Sequence, residues 1–258
     1  MIKLSQAYGS KFAKVYNMMW GAFATSVAPR IWDFYEKSKL SCPERTVLDL
    51  CCGTGHLACF FLDKGYYVIG LDLSADMLNY ARKNAEKYIK QGKAKFVQAN
   101  ASQFGLAQKV GLVVSTYDAL NHLNNIAELK GCFKSVYKVL QNQGYFIFDL
   151  NTQLGLKNNW NAINYIDTEQ IIFFNRGIYD YENKKAVTNI TGFIEKEKGL
   201  YERFDEIVYN TAFDLAEVRE ILRQIGWQEV YFAKSTDLST PLAKPEEEGR
   251  VFIVAKKE

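Results

Sequence analysis

A short apolar strand, TVLDL at 46–50, leads directly into the segment CCGTG, which carries Gly53 and Gly55. Glycines at the end of a first strand let the backbone turn sharply into a helix and approach a ligand closely. Asp72 follows Gly55 by 17 residues and ends the next predicted strand, where a carboxylate can accept hydrogen bonds from both hydroxyls of a ribose. Together, the glycine turn and the acid predict a ligand of the nucleoside type.

Two kinds of nucleoside ligand are compatible with this pattern. Gly53-x-Gly55-x-x-Ala58 also matches the dinucleotide fingerprint, so an NAD-type oxidoreductase is an alternative. Asp49 argues against it, because an acid inside the first strand suits a cationic amino acid group and would repel a pyrophosphate. The chain also closes with one helix and two strands after a β-rich insertion, without a second nucleotide-binding half or a separate catalytic domain.

Strand and helix patterns alternate between residues 45 and 151, which predicts a parallel sheet with right-handed crossovers. Ser74 is a predicted helix N-cap, and Gly65 is a predicted helix stop. The predicted strands are 46–50, 67–74, 94–100, 111–117 and 144–151, and the predicted helices are 56–65, 75–92 and 126–140.

The flanking segments follow other patterns. Residues 8–40 have apolar positions at helical spacing and predict one or two helices, with Pro29 in the first turn of the second. Alternating apolar residues over 169–213 predict an antiparallel sheet of three or four strands. The last predicted elements are a helix at 214–226, N-capped by Asp214, and two strands at 227–233 and 249–257.

These elements predict an α/β fold: a Rossmann-like doubly wound seven-stranded sheet with an N-terminal helical cap and an inserted antiparallel β-sheet. The predicted divisions are a cap at 1–44, a nucleoside-binding domain at 45–152 and 214–258, and an insertion at 153–213 that serves as lid, substrate wall or dimer interface.

Bulk composition excludes several classes. The 258 residues are 48% hydrophobic and 24% charged, with a net charge of +3, which argues against disorder and disfavours nucleic acid as a partner. The odd count of five cysteines and the presence of only two histidines favour neither a disulfide framework nor a metal site. No run of 18 apolar residues and no signal-peptide pattern occur, so we expect a cytoplasmic protein that does not cross a membrane.

Several segments in this order resemble the class I S-adenosylmethionine-dependent methyltransferases over about residues 45–152. The N-terminal YGSKFAKVYNMMW and the β-insertion are similar to the small-molecule branch, which includes glycine and amino-sugar N-methyltransferase-like proteins. The resembling segments are VLDLCCGTG for motif I, GLDLSADML for the acidic loop, VQANAS after the third strand, STYDALNHL after the fourth, and LQNQGYFIFDLNT at the fifth.

The resemblance implies separate roles around S-adenosylmethionine. Gly53 and Gly55 would pack against its amino acid and ribose, Asp49 would orient the loop or the amino group, and Asp72 would bind the ribose. Two positions depart from the pattern: Cys51 replaces a common glycine, and Asn100 replaces a frequent Asp. The full set of implied cofactor-binding residues is Asp49, Cys51, Gly53, Gly55, Asp72, Leu73, Met77, Asn100, Ala101, Ser102, Thr116 and Tyr117.

Methyl transfer from a sulfonium mainly requires alignment of the acceptor and exclusion of water. Tyr16 of the N-terminal cap and Asp118 and His122 after the fourth strand are the candidate catalytic residues, because ligands lie outside the carboxyl ends of the strands. Helix packing is the alternative for Tyr16, and capping for Asp118; we expect His56 to be structural. Candidate substrate contacts are Tyr8, Trp20, Asn121, Asn151, Arg203 and Tyr209.

The expected activity is therefore methylation of N or O on a small molecule. RNA methylation is a second enzymatic possibility, weakened because STYD stands where base-modifying enzymes carry Asn-Pro-Pro-aromatic and because no basic domain is present. A non-catalytic binding module is the third, weakened by the intact glycine turn with Asp72.

Overall fold

The structure, a computed structural model, describes residues 8–258 and contains two β-sheets. The strands of the larger sheet are β1 (Thr46–Leu50), β2 (Tyr67–Asp72), β3 (Ala94–Gln98), β4 (Val110–Ser115), β5 (Leu140–Asn151), β10 (Trp227–Ala233) and β11 (Arg250–Lys257). The strands of the smaller sheet are β6 (Ile163–Asp167), β7 (Ile171–Asp180), β8 (Lys185–Glu197) and β9 (Leu200–Thr211).

Helices occupy both faces of the larger sheet and the segment before it. They are α1 (Ser10–Met19), α2 (Gly21–Glu36), α3 (His56–Asp63), α4 (Ala75–Asn84), α5 (Glu86–Lys90), α6 (Ile126–Val139), α7 (Gln153–Asn159) and α8 (Leu215–Ile225).

The larger sheet has seven strands in the order β10-β11-β5-β4-β1-β2-β3. Strands β1 to β5 are parallel to their neighbours, and β11 is antiparallel to both β5 and β10. One core layer joins the sheet to α6 and α8, and a second joins it to α2, α3 and α4. Because both faces are covered, the strands are nearly continuous apolar runs. The predicted doubly wound, seven-stranded fold class is confirmed.

The order of strands creates the ligand edge. β1 lies between β4 and β2, so the chain winds in opposite directions on its two sides. Ligands of open α/β sheets bind outside the carboxyl ends of the strands at such a switch point. The loops after β1, β2 and β4 therefore meet at one edge.

The smaller sheet covers that edge. It is four-stranded, in the order β6-β7-β8-β9, and antiparallel throughout. Its inner residues Phe173, Ile190 and Val208 pack with Phe12 of α1 and with Met77 of α4. The insertion and α1 together form a roof over the carboxyl ends of β1 and β2.

Some predicted boundaries were wrong. Pro29 does not open α2; it lies inside the helix, which begins at Gly21. Its missing N–H deprives the Thr25 carbonyl of a helical bond, but Pro29 and Thr25 are both exposed, so water can satisfy that carbonyl.

Other local differences are smaller. The helix predicted at 75–92 is two helices, interrupted at Ala85. Helix α7 was not predicted; Thr152 caps it by accepting a hydrogen bond from the Gly155 N–H. The first seven residues of the predicted cap lie outside the described part of the chain. Within residues 8–258, no helix is long and apolar enough to cross a membrane.

Asn121 joins the two sheets. Its fully buried side-chain amide donates to the carbonyls of Asn151, at the end of β5, and Thr211, at the end of β9, over 3.1 and 2.9 Å. Its oxygen accepts the Asn151 N–H at 2.9 Å. One side chain therefore satisfies three backbone groups at the point where the insertion meets the larger sheet.

Replacing Asn121 by Ala is expected to lower the free energy of unfolding by about 2–4 kcal/mol, because it leaves buried backbone groups unpaired and opens a small cavity. Asn158→Ala, on an exposed position of α7, is the matched control and should change it by less than about 0.5 kcal/mol. Urea denaturation of both variants measures the effect, and equal stability would contradict the junction role.

Candidate active site

The loops after β1 and β2 are held together by one carboxylate. Asp72 accepts the Gly53 N–H at 2.8 Å on one oxygen and the Ser74 N–H at 2.9 Å on the other. Burial raises the pKa of Asp72, and these two N–H groups oppose the rise. Each oxygen keeps a second lone pair, so the carboxylate can still accept hydrogen bonds from a ligand.

The turn after β1 has an unusual backbone. Gly53 and Gly55 have φ of 53° and 78°, and Cys51, at 60°, is left-handed without being a glycine. Cys51 replaces a common glycine of the family pattern, yet it keeps the left-handed conformation that glycine adopts most easily. A Cβ on Gly55 would lie 3.2 Å from the Ala81 Cα, so this glycine lets α4 approach the turn and does not itself line the cavity.

Asp49 lies behind this turn. It is 2% exposed, and its Oδ2 has no hydrogen-bond partner in the described chain. Burial raises its pKa to about 7, although a backbone hydrogen bond from Ala58 opposes the rise. A buried carboxylate with a free oxygen is suited to a cationic ligand group.

A cavity of about 390 Å³ opens beside these loops. Its walls come from the β1, β2, β3 and β4 loops, from α1, and from the inner face of the insertion. The lining residues are Tyr8, Phe12, Tyr16, Trp20, Cys51, Gly53, Asp72, Leu73, Met77, Asn100, Ala101, Thr116, Tyr117, Asp118, Ala119, His122, Leu123, Trp160, Phe173, Asn175, Ile190, Val208, Asn210 and Arg250.

A second buried carboxylate holds the loop after β4. Asp149 accepts the N–H of Tyr117 at 2.6 Å and that of Asp118 at 2.9 Å, two residues in left-handed conformation. Arg250, at the start of β11, donates to Asp149 and, at 2.7 Å, to Asp118. Burial raises the pKa of Asp149 to about 6 and Arg250 opposes the rise. Asn210 of β9 donates to the other Asp118 oxygen at 2.7 Å.

Asp118 is therefore oriented by the insertion and by β11. Its side chain makes no capping bond to the helical turn at 119–122 that follows, so the capping alternative was wrong. The carboxylate lines the cavity with a guanidinium on one oxygen and an amide on the other.

Two further candidates pair with each other. The Tyr8 hydroxyl lies 3.2 Å from the Nε2 of His122, whose Nδ1 lies 2.8 Å from the Tyr209 carbonyl oxygen. The carbonyl of Tyr8 accepts a hydrogen bond from the Ser74 hydroxyl at 2.7 Å. Burial raises the pKa of Tyr8 and of Tyr16 far above the ordinary tyrosine value, so both are neutral phenols. The N-terminal segment is thereby joined to both the β2 loop and the β4 loop.

Most predicted site residues converge on this cavity, and some do not. Asn121 and Asn151 form the junction of the two sheets instead of lining the cavity, and Ser102 donates its N–H to the Asn100 oxygen. Arg203 is exposed and paired with Asp205 at 2.9 Å, so the expected substrate contact is corrected. Tyr209 contributes its carbonyl to His122, and its side chain does not line the cavity.

The residues that sequence reasoning missed come mainly from the insertion and from β11. Val208 and Asn210 of β9 face the cavity, whereas Arg203 and Tyr209 were chosen from the opposite face of the same strand. The apolar alternation of Phe204 and Val208 was the available signal for the inner face. The other missed residues are Phe12, Ala119, Leu123, Trp160, Phe173, Asn175, Ile190 and Arg250.

Comparison with known proteins shows similarity to methyltransferases. Residues 47–144 match a family model described as a methyltransferase domain. YqeM of Bacillus subtilis strain 168 is 28% identical over 249 residues, which cover 95% of this chain and 96% of that protein. A Streptomyces venezuelae enzyme, dTDP-3-amino-3,4,6-trideoxy-alpha-D-glucopyranose N,N-dimethyltransferase, is 29% identical over 144 residues, 55% of this chain and 58% of the enzyme.

A solved structure shares the fold over nearly the whole chain. An S-adenosylmethionine-dependent methyltransferase from Clostridium acetobutylicum ATCC 824 superposes with a TM-score of 0.77 and 22% identity, covering 96% of this chain and 98% of that one. At this identity the likeness concerns the fold, including the insertion.

Asp49→Asn is expected to stabilise the ligand-free protein at pH 8 by about 1–3 kcal/mol and to have little effect at pH 4. The carboxyl pKa is about 7 when folded and about 4 when unfolded, so ionised Asp49 makes the free energy of unfolding fall as pH rises from about 4 to 7. The amide keeps an oxygen for the Ala58 N–H but carries no charge.

Denaturation of the wild type and this variant at several pH values measures the difference. Asp149, whose pKa is also raised, is present in both proteins and cancels. A stability difference that does not change between pH 4 and pH 8 would contradict the buried, unpaired state of Asp49.

Proposed function

We propose that this chain, a methyltransferase with its methyltransferase domain at residues 47–144, uses S-adenosylmethionine to methylate N or O of a small molecule. The observation that carries the proposal is the Asp72 carboxylate bound to the Gly53 N–H at 2.8 Å beside a cavity of about 390 Å³. This arrangement presents an acid and a glycine turn at the switch point of the sheet, where a nucleoside fits.

The residues present fit this donor. Asp72 has lone pairs left for ribose hydroxyls, and Leu73 and Met77 offer apolar surfaces for an adenine on the same wall. Asp49, with an unpartnered oxygen, suits an ammonium group. Asn100, which replaces a frequent Asp of the family pattern, accepts the Ser102 N–H on its side-chain oxygen and so keeps the loop folded. The side-chain NH₂ group of Asn100 can donate to the edge of an adenine.

Bound S-adenosylmethionine supplies an electrophilic methyl group on a sulfonium that leaves as a neutral thioether. The chain's own residues then have to orient the acceptor and exclude water. Tyr16 lies against the glycine turn: a Cβ added to Gly53 would lie 3.5 Å from the Tyr16 Cε1. The ring of Trp20 packs on Phe173 of the insertion. These aromatic side chains close the cavity towards α1.

The acceptor half of the cavity has apolar walls with a few polar groups. Phe173, Ile190 and Val208 supply the walls, and His122 and Asp118 are the groups that can hold or receive a proton. We propose His122 as the stronger base candidate, because the Asp118 carboxylate is held in an ion pair with Arg250, whereas the Nε2 of His122 contacts only the neutral Tyr8 hydroxyl, which an acceptor can displace. Tyr8 and the Tyr209 carbonyl fix the His122 ring.

The acceptor is proposed to be a small molecule, because the insertion and α1 wall the cavity on the side away from the sheet. The similarity to an amino-sugar N,N-dimethyltransferase favours an amine as the acceptor group. A cytoplasmic location is supported by five cysteines that are all free. Nucleic acid as a substrate is disfavoured by the low net charge of +3.

Asp72→Ala is expected to weaken S-adenosylmethionine binding by about 1–3 kcal/mol, since hydrogen bonds to the ribose and the support of the glycine turn are both lost. Asp33→Ala, on the exposed face of α2, is the matched control and should leave the affinity unchanged. Isothermal titration calorimetry measures both.

The same titration with NAD separates the alternatives. If the wild-type protein binds NAD more tightly than S-adenosylmethionine, the result contradicts the proposal and supports a dehydrogenase. A protein that binds S-adenosylmethionine but methylates neither small amines nor phenols in a substrate panel would instead support a binding module.

The outer face of the insertion is proposed to form a homodimer. It exposes the apolar side chains of Ile163, Tyr165, Phe174, Ile178 and Ile207, which are 72%, 55%, 40%, 41% and 40% exposed. An apolar face of this kind on a twisted sheet is typical of an association surface.

Light scattering is expected to give a mass near twice 29.5 kDa for the wild type, and Phe174→Glu should shift it to the monomer. Ile89→Glu, on an exposed position of α5 in the other domain, serves as control. A monomeric wild type, or a dimer that survives Phe174→Glu, would contradict this interface.

A further inference from the structure

A second, small cavity lies behind the glycine turn. It has a volume of about 30 Å³ and adjoins the main cavity, with which it shares Tyr16, Trp20, Cys51, Thr116 and Tyr117. A volume of this size holds about two water-sized atoms. Its other walls come from the first turns of α2 and α3.

Three buried polar atoms without a partner in residues 8–258 line this cavity. They are the Asp49 Oδ2, the Thr54 Oγ1 and the His56 Nε2. Asp49 is 2% and Thr54 1% exposed, so water outside the protein does not satisfy them. Buried polar groups are nearly always hydrogen-bonded, and three such exceptions around one cavity indicate an occupant.

The groups divide by chemistry. Ionised Asp49 is an acceptor and suits a cation, whereas the N–H tautomer of His56 is a donor and suits an anion. The Thr54 hydroxyl can donate or accept, so it can donate to the same anion. An α-amino acid carries both an ammonium and a carboxylate, two or three bonds apart. The cavity therefore offers complementary partners for each end of a zwitterion.

The position of His56 supports an anion at its side of the cavity. Its ring packs against Gly21, where an added Cβ would lie 2.8 Å from the Nε2, so only glycine lets the ring reach this place. Gly21 is the first residue of α2, a helix of 16 residues with no side-chain N-cap. The first turn of an uncapped helix carries free N–H groups and a partial positive charge, which favour a carboxylate.

We infer that Thr54 and His56, with the first turn of α2, recognise the carboxylate of the amino acid end of the methyl donor, opposite Asp49, which binds its ammonium. This inference rests on the proposed function, since it assigns residues to that same ligand. His56, expected from the sequence to be structural, becomes a binding residue.

A pair of ligands that differ only in the carboxylate tests this assignment by binding alone. Calorimetry compares S-adenosylmethionine with decarboxylated S-adenosylmethionine, which retains the ammonium and the nucleoside. Wild-type protein is expected to prefer the former by about tenfold or more, roughly 1.4 kcal/mol. Thr54→Val, which keeps the side-chain shape, and His56→Leu should each reduce this preference severalfold, and His56→Gln, which restores an N–H donor, should recover part of it.

Two further measurements separate recognition from folding. Methylthioadenosine lacks the amino acid altogether, so its affinity should be unchanged in properly folded variants. Asp49→Asn should weaken both ligands that carry the ammonium, without changing their ratio. Thr236→Val, an exposed threonine, is the control for the Thr54 substitution.

Each outcome is decisive. A wild type that binds none of these ligands refutes the proposed function itself. A wild type that binds both sulfonium ligands equally, or variants that keep the wild-type preference, refutes the carboxylate assignment alone and indicates that a buried water satisfies Asp49, Thr54 and His56.

Discussion

Backbone N–H groups left unpaired at the carboxyl ends of parallel strands are the constraint on which this site depends. Two carboxylates, half-buried Asp72 and buried Asp149, satisfy them. Asp72 at the end of β2 accepts an N–H from the loop after β1, and Asp149 near the end of β5 accepts two from the loop after β4. In both cases the acid belongs to a neighbouring strand, so each bond joins two strands at the ligand edge. Loss of either would release a loop into the cavity.

These bonds also sustain a strained backbone. Cys51, Tyr117 and Asp118 are non-glycine residues with φ of 60°, 68° and 48°, a conformation that costs of the order of 1–3 kcal/mol per residue. Charged acceptors of buried N–H groups give the stronger class of hydrogen bond and can offset this cost. The strain has a use, because it turns the Tyr117 ring onto Phe23 at 4.7 Å between ring centroids, and aims the Asp118 carboxylate into the cavity.

Local patterns were sufficient to predict the sheet but not the acceptor half of the site. The glycine turn, Asp72 and the strand rhythm are encoded within short segments, and they located most of the cofactor loops. Arg250 lies 132 residues from Asp118 and 101 from Asp149, and no periodicity relates such distant positions. The inner face of β9 was mistaken for the outer one, because a shift of one residue exchanges the faces of a strand. Pro29 was predicted in the first turn of its helix, but it lies inside α2, because an exposed helix face tolerates the missing hydrogen bond.

The balance of charge at the edge ties stability to ligand binding. Asp49, Asp72, Asp118 and Asp149 are buried or nearly so, and Arg250 is the only Lys or Arg lining the cavity in residues 8–258. It neutralises the acids of the β4 and β5 side, while Asp49 and Asp72 on the β1 and β2 side have backbone partners only. Burial therefore raises the pKa of both, which means that their ionised forms cost folding free energy. A ligand that places an ammonium at one and ribose hydroxyls at the other would remove part of that cost on binding. Asp49 and Asp72, which burial makes costly to ionise, are thus the groups that would give a cationic nucleoside its affinity.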